Sequence, residues 1–250
     1  MSLNRGRGSI MSQYPDTFRP MDYTLADQAT SDVRMAFLRR TYAHLLGAVL
    51  AFAGIEAAIF ASGMAEPMTE LMLASSQWSW LIVLGAFMVV SGIAQAWARS
   101  EAGRAMQYAG LALFVVAEAV IFAPLLFVAS LYGGAEIIPT AGIITVVTFT
   151  GLTAVVFLTR SDFSFLGPFL GMAGFVALGV IVCAIVFNFN LGMIFTIAMI
   201  AFACGYILYH TSNILHTYRT DQHVAAALAL FASVALLFWY VLRLLMVLRR

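Results

Sequence analysis

The chain has 250 residues, 62% of them apolar and 10% charged, with a mean hydropathy of +0.94. A soluble domain is nearer about 45–50% apolar and about 25% charged, so composition alone excludes a soluble globular protein and a disordered one. The 13 basic and 12 acidic residues nearly cancel. No strongly basic stretch offers itself to nucleic acid. Every basic residue is arginine, which also excludes a chromophore held on a lysine Schiff base.

Residues 1–30 are rich in Gly, Ser, Pro, Asp, Thr and Arg and contain no cleavable signal peptide; they read as a mobile cytoplasmic tail. The remainder, 31–250, reads as one transmembrane domain. Its apolar runs are about twenty residues long, the length of a spanning helix and about twice that of a barrel strand. Seven spans are predicted: 43–64, 78–98, 106–130, 137–159, 165–187, 191–210 and 224–248. The fold class is therefore an all-α membrane protein, a seven-transmembrane-helix bundle.

Charge sets the orientation. Arg5, Arg7, Arg19, Arg34, Arg39 and Arg40 precede the first span, and Arg99, Arg104, Arg160 and Arg219 fall in loops on the same side. The opposite loops carry Glu66, Glu70 and Glu136. A positive-inside pattern places the N-terminus in the cytoplasm. Arg249 and Arg250 conflict with it: either the first helices dominate insertion, or the last segment does not cross completely. Asp162, just before the fifth span, is placed to cap it. Gly167 and Gly171 form a GxxxG pair suited to close helix contact. Cys183 and Cys204 fall inside apolar runs and read as core packing.

Ionisable groups in hydrocarbon cost roughly 2.5–3.5 kcal/mol each on insertion scales, so those inside spans face protein or water. Glu118 lies mid-third span, Glu56 in the first, Arg243 late in the seventh, His210 at the end of the sixth and Ser233 mid-seventh. Glu118 reads either as a neutral acid bonded to nearby backbone or as part of an ion or proton pathway. Glu56 reads as packing or pathway. Arg243 either snorkels to the interface or pairs with Glu118, with Glu56 as the second choice. His210 is an interfacial ring or a proton-responsive element, since a histidine ordinarily titrates near about pH 6.5. The spacing of His210, His216 and His223 suits no metal shell. HExxH and GxSxG are absent from the sequence. Neither an enzyme, a metal nor a cofactor is expected.

Four segments carry a family resemblance. Phe37-Leu38-Arg39-Arg40-Thr41-Tyr42 opens the first span. Glu118-Ala119-Val120-Ile121-Phe122-Ala123-Pro124 lies in the third. Thr159-Arg160-Ser161-Asp162-Phe163-Ser164-Phe165-Leu166-Gly167 links the fourth and fifth, and 236–245 ends the seventh. In order and spacing, from about residue 30 to the C-terminus, the chain resembles the Bax inhibitor-1 family, the transmembrane Bax-inhibitor-motif family. The resemblance implies six helices around a central seventh. It also implies either a pH-sensitive calcium leak or a role beside membrane quality-control proteases in bacteria. With no organelle retention signal and a short tail, a bacterial inner membrane is the expected location. Members with a calcium leak carry two facing aspartates, and at those positions this chain has His210 and Ser233. Calcium wants several oxygen ligands, so paired-aspartate conduction is not expected, while pH sensitivity could persist through His210. The expected function is a pH-sensitive cation leak, calcium-like or proton, lined by Glu118, His210, Ser233 and Glu56. The alternative is a non-conducting interaction protein whose partners are the lipid bilayer and a membrane protease or other stress-response protein.

Overall fold

A computed structural model describes residues 24–73, 77–134 and 136–249. Among these the chain forms eight helices: α1 (Ser31–Ala61), α2 (Ala65–Leu73), α3 (Gln77–Ala98), α4 (Arg104–Gly133), α5 (Ile137–Thr159), α6 (Leu166–Val186), α7 (Met193–His216) and α8 (His223–Leu248). All but α2 are long and apolar enough to span a membrane, and the protein is an all-helical integral membrane protein with seven spanning helices.

The seventh span, α8, is the centre. It packs against α1, α3, α4, α5 and α7, and 72% of its apolar window is buried, against 17% for α1, α3, α5 and α6. Alanine is the reason. Ala225, Ala226, Ala227, Ala229 and Ala235 are all buried, and small side chains let neighbouring backbones come close where lipid offers no hydrophobic drive. The larger residues of α8 knit the aromatic core. Phe231 meets Phe52 of α1 and Phe114 of α4, and Trp239 meets Phe122 of α4 edge-on at 4.9 Å. In contrast, α6 packs mainly on α7 and α3. Its Phe169, Phe175 and Val176 are exposed, as a lipid-facing surface should be.

The last segment crosses the whole bundle. His223 at its start lies 5.0 Å from His44, whose ring stacks on Tyr108 near the start of α4. At the other end Arg249 donates to the carbonyl of Gly133, where α4 ends. With 26 residues, α8 is about 39 Å long, more than the roughly 30 Å of a hydrocarbon core. Arg249 thus sits opposite the arginine-rich end and caps α4 there; Arg250 lies outside the described residues.

Three further features depart from the sequence reading. Residues 24–30 belong to the folded body: Leu25 bridges Arg219, the Ala26 amide donates to the Tyr218 carbonyl at 3.0 Å, and Ala26 is fully buried. The Arg34 side chain ties this segment down by donating to the carbonyls of Ala26 and Asp27. The rest of the expected tail, 1–23, lies outside the described residues. Between the first two spans the short helix α2 packs on α4 with Ala65 and Met72 buried. Its nine residues are too few to register as a span. Cys183 is exposed on α6 rather than packed in the core, and Cys204 is half-buried.

At the arginine-rich end the loops are laced together. Arg219, in the α7–α8 turn, pairs with Asp221 at 2.8 Å and reaches Glu101 of the α3–α4 loop at 3.1 Å. These contacts hold Asp221 below the usual carboxylate range and raise Arg219 further. The α5–α6 loop is locked separately. Ser212 of α7 accepts from the Phe163 amide at 2.8 Å and donates to Asp162 at 3.3 Å. Asp162 therefore does not cap α6. Its carboxylate accepts from the amide of Ser164 at 2.8 Å, before the helix begins, and this bond keeps its pKa below the ordinary value.

Candidate functional site

Because α6 stands away from α8, a cavity of about 1150 Å³ opens among α3, α4, α6, α7 and α8. It follows the bundle lengthwise, from Ala225 to Arg243 along α8, which is about 27 Å at the helical rise. Arg99 marks one end, beside Tyr209 and His210. Arg243 marks the other, with Asn188 and Asn190.

Helical periodicity builds the walls. Ser91 and Gln95 on α3 and Arg99 just past its end recur every four residues. On α7, Phe202, Tyr206 and His210 do the same, and on α8 Leu228, Ala232, Leu236 and Tyr240 follow at the same interval. Such rows lie on one helix face. The wall is polar toward Arg99. Toward Arg243 it turns aromatic and aliphatic, with Trp80, Phe122, Leu236 and Trp239.

Four of the polar residues singled out by the sequence line this cavity: Glu118, His210, Ser233 and Arg243. Glu118 is 7% exposed, lines the cavity and, among the described residues, makes no hydrogen bond to neighbouring backbone. The Ser233 hydroxyl donates to the Ala229 carbonyl at 2.9 Å, which leaves its lone pairs to accept. His210 lies on α7. The helix continues past it to His216, its ring stacks on Tyr206 with centroids 5.5 Å apart, and its Nδ1 is buried with no hydrogen-bond partner.

Two expectations fail here. Glu56 does not reach the cavity; both its carboxyl oxygens are buried elsewhere in the bundle without a hydrogen-bond partner. Arg243 pairs with neither glutamate. It reaches toward the interface and donates to the Leu191 carbonyl, in the α6–α7 connection, at 2.9 Å. Uncoupled groups should add. A cycle of Glu118→Gln and Arg243→Met, scored by thermal stability in detergent, is expected to be additive within about 0.5 kcal/mol. A coupling above about 1 kcal/mol would restore the pair.

The residues that sequence reading missed are Ser91, Gln95, Arg99, Tyr206 and Tyr209. The polar rows at intervals of four on two apolar helices are the signal that marks them.

The charge balance restricts what can occupy the site. Among the described residues the cavity wall holds one carboxylate, Glu118, against two guanidinium groups, Arg99 and Arg243. Calcium takes about 6–8 oxygen ligands, usually with several carboxylates. A lone glutamate cannot provide that shell.

The comparisons agree with this architecture. The profile of a family described as "Inhibitor of apoptosis-promoting Bax1" matches residues 34–250. The chain is 30% identical to Bax inhibitor 1 of Schizosaccharomyces pombe over 231 residues, 87% of this chain and 79% of that protein. It is 38% identical to Protein LIFEGUARD 3 of Arabidopsis thaliana over 95 residues, 36% of this chain and 37% of that one. An uncharacterized protein of Pseudomonas aeruginosa is 33% identical over 106 residues, 42% of this chain and 47% of that protein. No solved structure matches the chain. With seven spanning helices packed on a central last one, and with the family profile covering nearly all the folded residues, the chain belongs to the Bax inhibitor-1 family of membrane proteins.

Proposed function

We propose that the protein is a pH-sensitive proton leak of a bacterial inner membrane, with its N-terminus in the cytoplasm and no enzymatic step. The observation that carries this reading is Glu118, which lines a cavity running along the bundle together with His210 and Ser233. Chains of carboxyl, imidazole and hydroxyl groups inside membranes are the usual substance of proton relays. A proton hops between such groups and needs no cage of oxygen ligands. A metal cation would have to pass a guanidinium at each end, so the calcium-like alternative is disfavoured here. The crowding of Arg34, Arg39, Arg40, Arg99, Arg104, Arg160 and Arg219 toward one end supports the orientation.

The test is proton uptake by liposomes after a pH jump. Glu118→Gln should lower uptake about a hundredfold or more, the usual scale for a positioned proton-transfer group. Glu56→Gln should leave it unchanged, because Glu56 is off the cavity. Equal uptake in wild type and Glu118→Gln would overturn the proposal. The second reading is a non-conducting protein that binds a membrane quality-control protease or another stress-response partner. The guanidinium at each end of the cavity favours it, and absence of flux at any pH would select it.

A further inference from the structure

The two halves of the cavity differ, and the half toward Arg243 has chemistry that a proton path does not use. Arg243 lies within a spanning helix and is half-buried. A guanidinium has five N–H donors and keeps its charge at all relevant pH. One donor goes to the Leu191 carbonyl, and no carboxylate lies within 4.0 Å of the group among the described residues. A cation in this position is costly without an anion. Asn188 and Asn190 add amide groups at the same end of the cavity. Below this polar rim the wall is continuous hydrocarbon and aromatic surface. Trp80 and Trp239 are stacked with ring centroids 6.4 Å apart, and Phe122, Leu236 and Ile181 extend the wall toward Glu118.

We propose that this half of the cavity binds a single-chain anionic amphiphile, its head on Arg243 and its chain against the Trp80–Trp239 wall. The head is an oxyanion, because a guanidinium fork matches the two oxygens of a carboxylate or phosphate. The tail is apolar and single. The whole cavity of about 1150 Å³ is shared with a polar half, and small-molecule pockets of roughly 300–1,000 Å³ typically enclose one such ligand. A fatty-acid carboxylate and a lysophospholipid phosphate share this chemistry. The site does not depend on whether the cavity conducts.

The experiment is tryptophan quenching in nanodiscs of the full chain. The probe is a stearate brominated in the carboxyl half of its chain. Octadecanol and lysophosphatidylglycerol compete as the neutral and the phosphate-headed forms. Saturable quenching by the stearate is expected, and it should disappear in the Trp80→Phe, Trp239→Phe double variant. Arg243→Gln should weaken binding about ten- to a hundredfold, the scale of a lost charge-assisted hydrogen-bond pair, while Arg243→Lys should lose less. Ile181→Trp, which fills the apolar wall and leaves Arg243 in place, should abolish binding. Octadecanol should compete at least about tenfold more weakly than unlabelled stearate. Whichever of stearate and lysophosphatidylglycerol competes better identifies the source of the head. Equal competition by octadecanol and stearate, or unchanged affinity in a folded Arg243→Gln protein, would overturn the proposal.

Discussion

Gly110→Ala is expected to cost about 3 kcal/mol or more and to lower the melting temperature in detergent by roughly 6–12 °C. A Cβ at Gly110 would stand 2.5 Å from the carbonyl oxygen of Ala94 and 2.6 Å from the amide nitrogen of Ala98. Both are backbone atoms of α3, so no rotamer change relieves the clash. Helices α3 and α4 would have to separate along their contact, where Ala94 and Ala98 are buried. The controls lie on α3 itself. A Cβ at Gly85 or Gly92 would meet nothing within 4 Å. There alanine should be neutral or raise stability, by up to about 1 kcal/mol from helix propensity. A Gly110→Ala protein as stable as these controls would mean that the α3–α4 packing is looser than described.

The largest functional change is expected from replacing His210 and Ser233 together by aspartate. Both positions line the same cavity as Glu118. The double variant would change its wall from one carboxylate against two guanidinium groups to three carboxylates. A cleft of predominantly one sign concentrates counter-ions and raises their entry about 10–1,000-fold, and added carboxylates supply the oxygen ligands that calcium requires. Calcium flux into liposomes should rise on the order of tenfold or more above the wild-type background. Neither single variant should match it, since each leaves the ligand shell poorer. An unchanged calcium flux in a folded double variant would mean that the two positions do not act on one pathway.

The spans themselves were legible because hydrophobic length is a crude but strong signal. The segments 78–98 and 137–159 agree with α3 and α5 to within a residue, and 165–187 brackets α6. The start of α1 at Ser31 escaped because its first turns carry Asp32, Arg34, Arg39 and Arg40; a helix that extends beyond hydrocarbon has no apolar signature there. The end of α7 escaped for the same reason at Thr211, Ser212 and Asn213. The inside of the bundle was harder to read. In a soluble protein the buried face of a helix is the apolar one, but in lipid both faces are apolar. Phe169 and Phe175 look no different in sequence from Phe122 and Phe231, yet the first two are exposed and the last two are buried.

Small residues mislead in the same way. A Cβ at Gly167 would stand 2.8 Å from the Tyr209 ring, whereas one at Gly171, its GxxxG partner, would meet open space. The tightest backbone approach is at Gly110, which has no such motif. Of the candidate site, Glu118, His210, Ser233 and Arg243 were legible as polar atoms in apolar runs. Their partners were not, because contacts between helices far apart in sequence depend on rotation about each axis. That is why Glu56 falls away from the cavity and Arg243 bonds Leu191 instead of a glutamate.

The most direct test of a proton pathway through this cavity is simultaneous recording of internal pH and calcium in liposomes carrying the wild-type protein. Under equal inward gradients, proton entry should be fast and pH-dependent, with calcium entry at the level of protein-free liposomes. Calcium entry well above that level, or proton entry no faster than in protein-free liposomes, would contradict it.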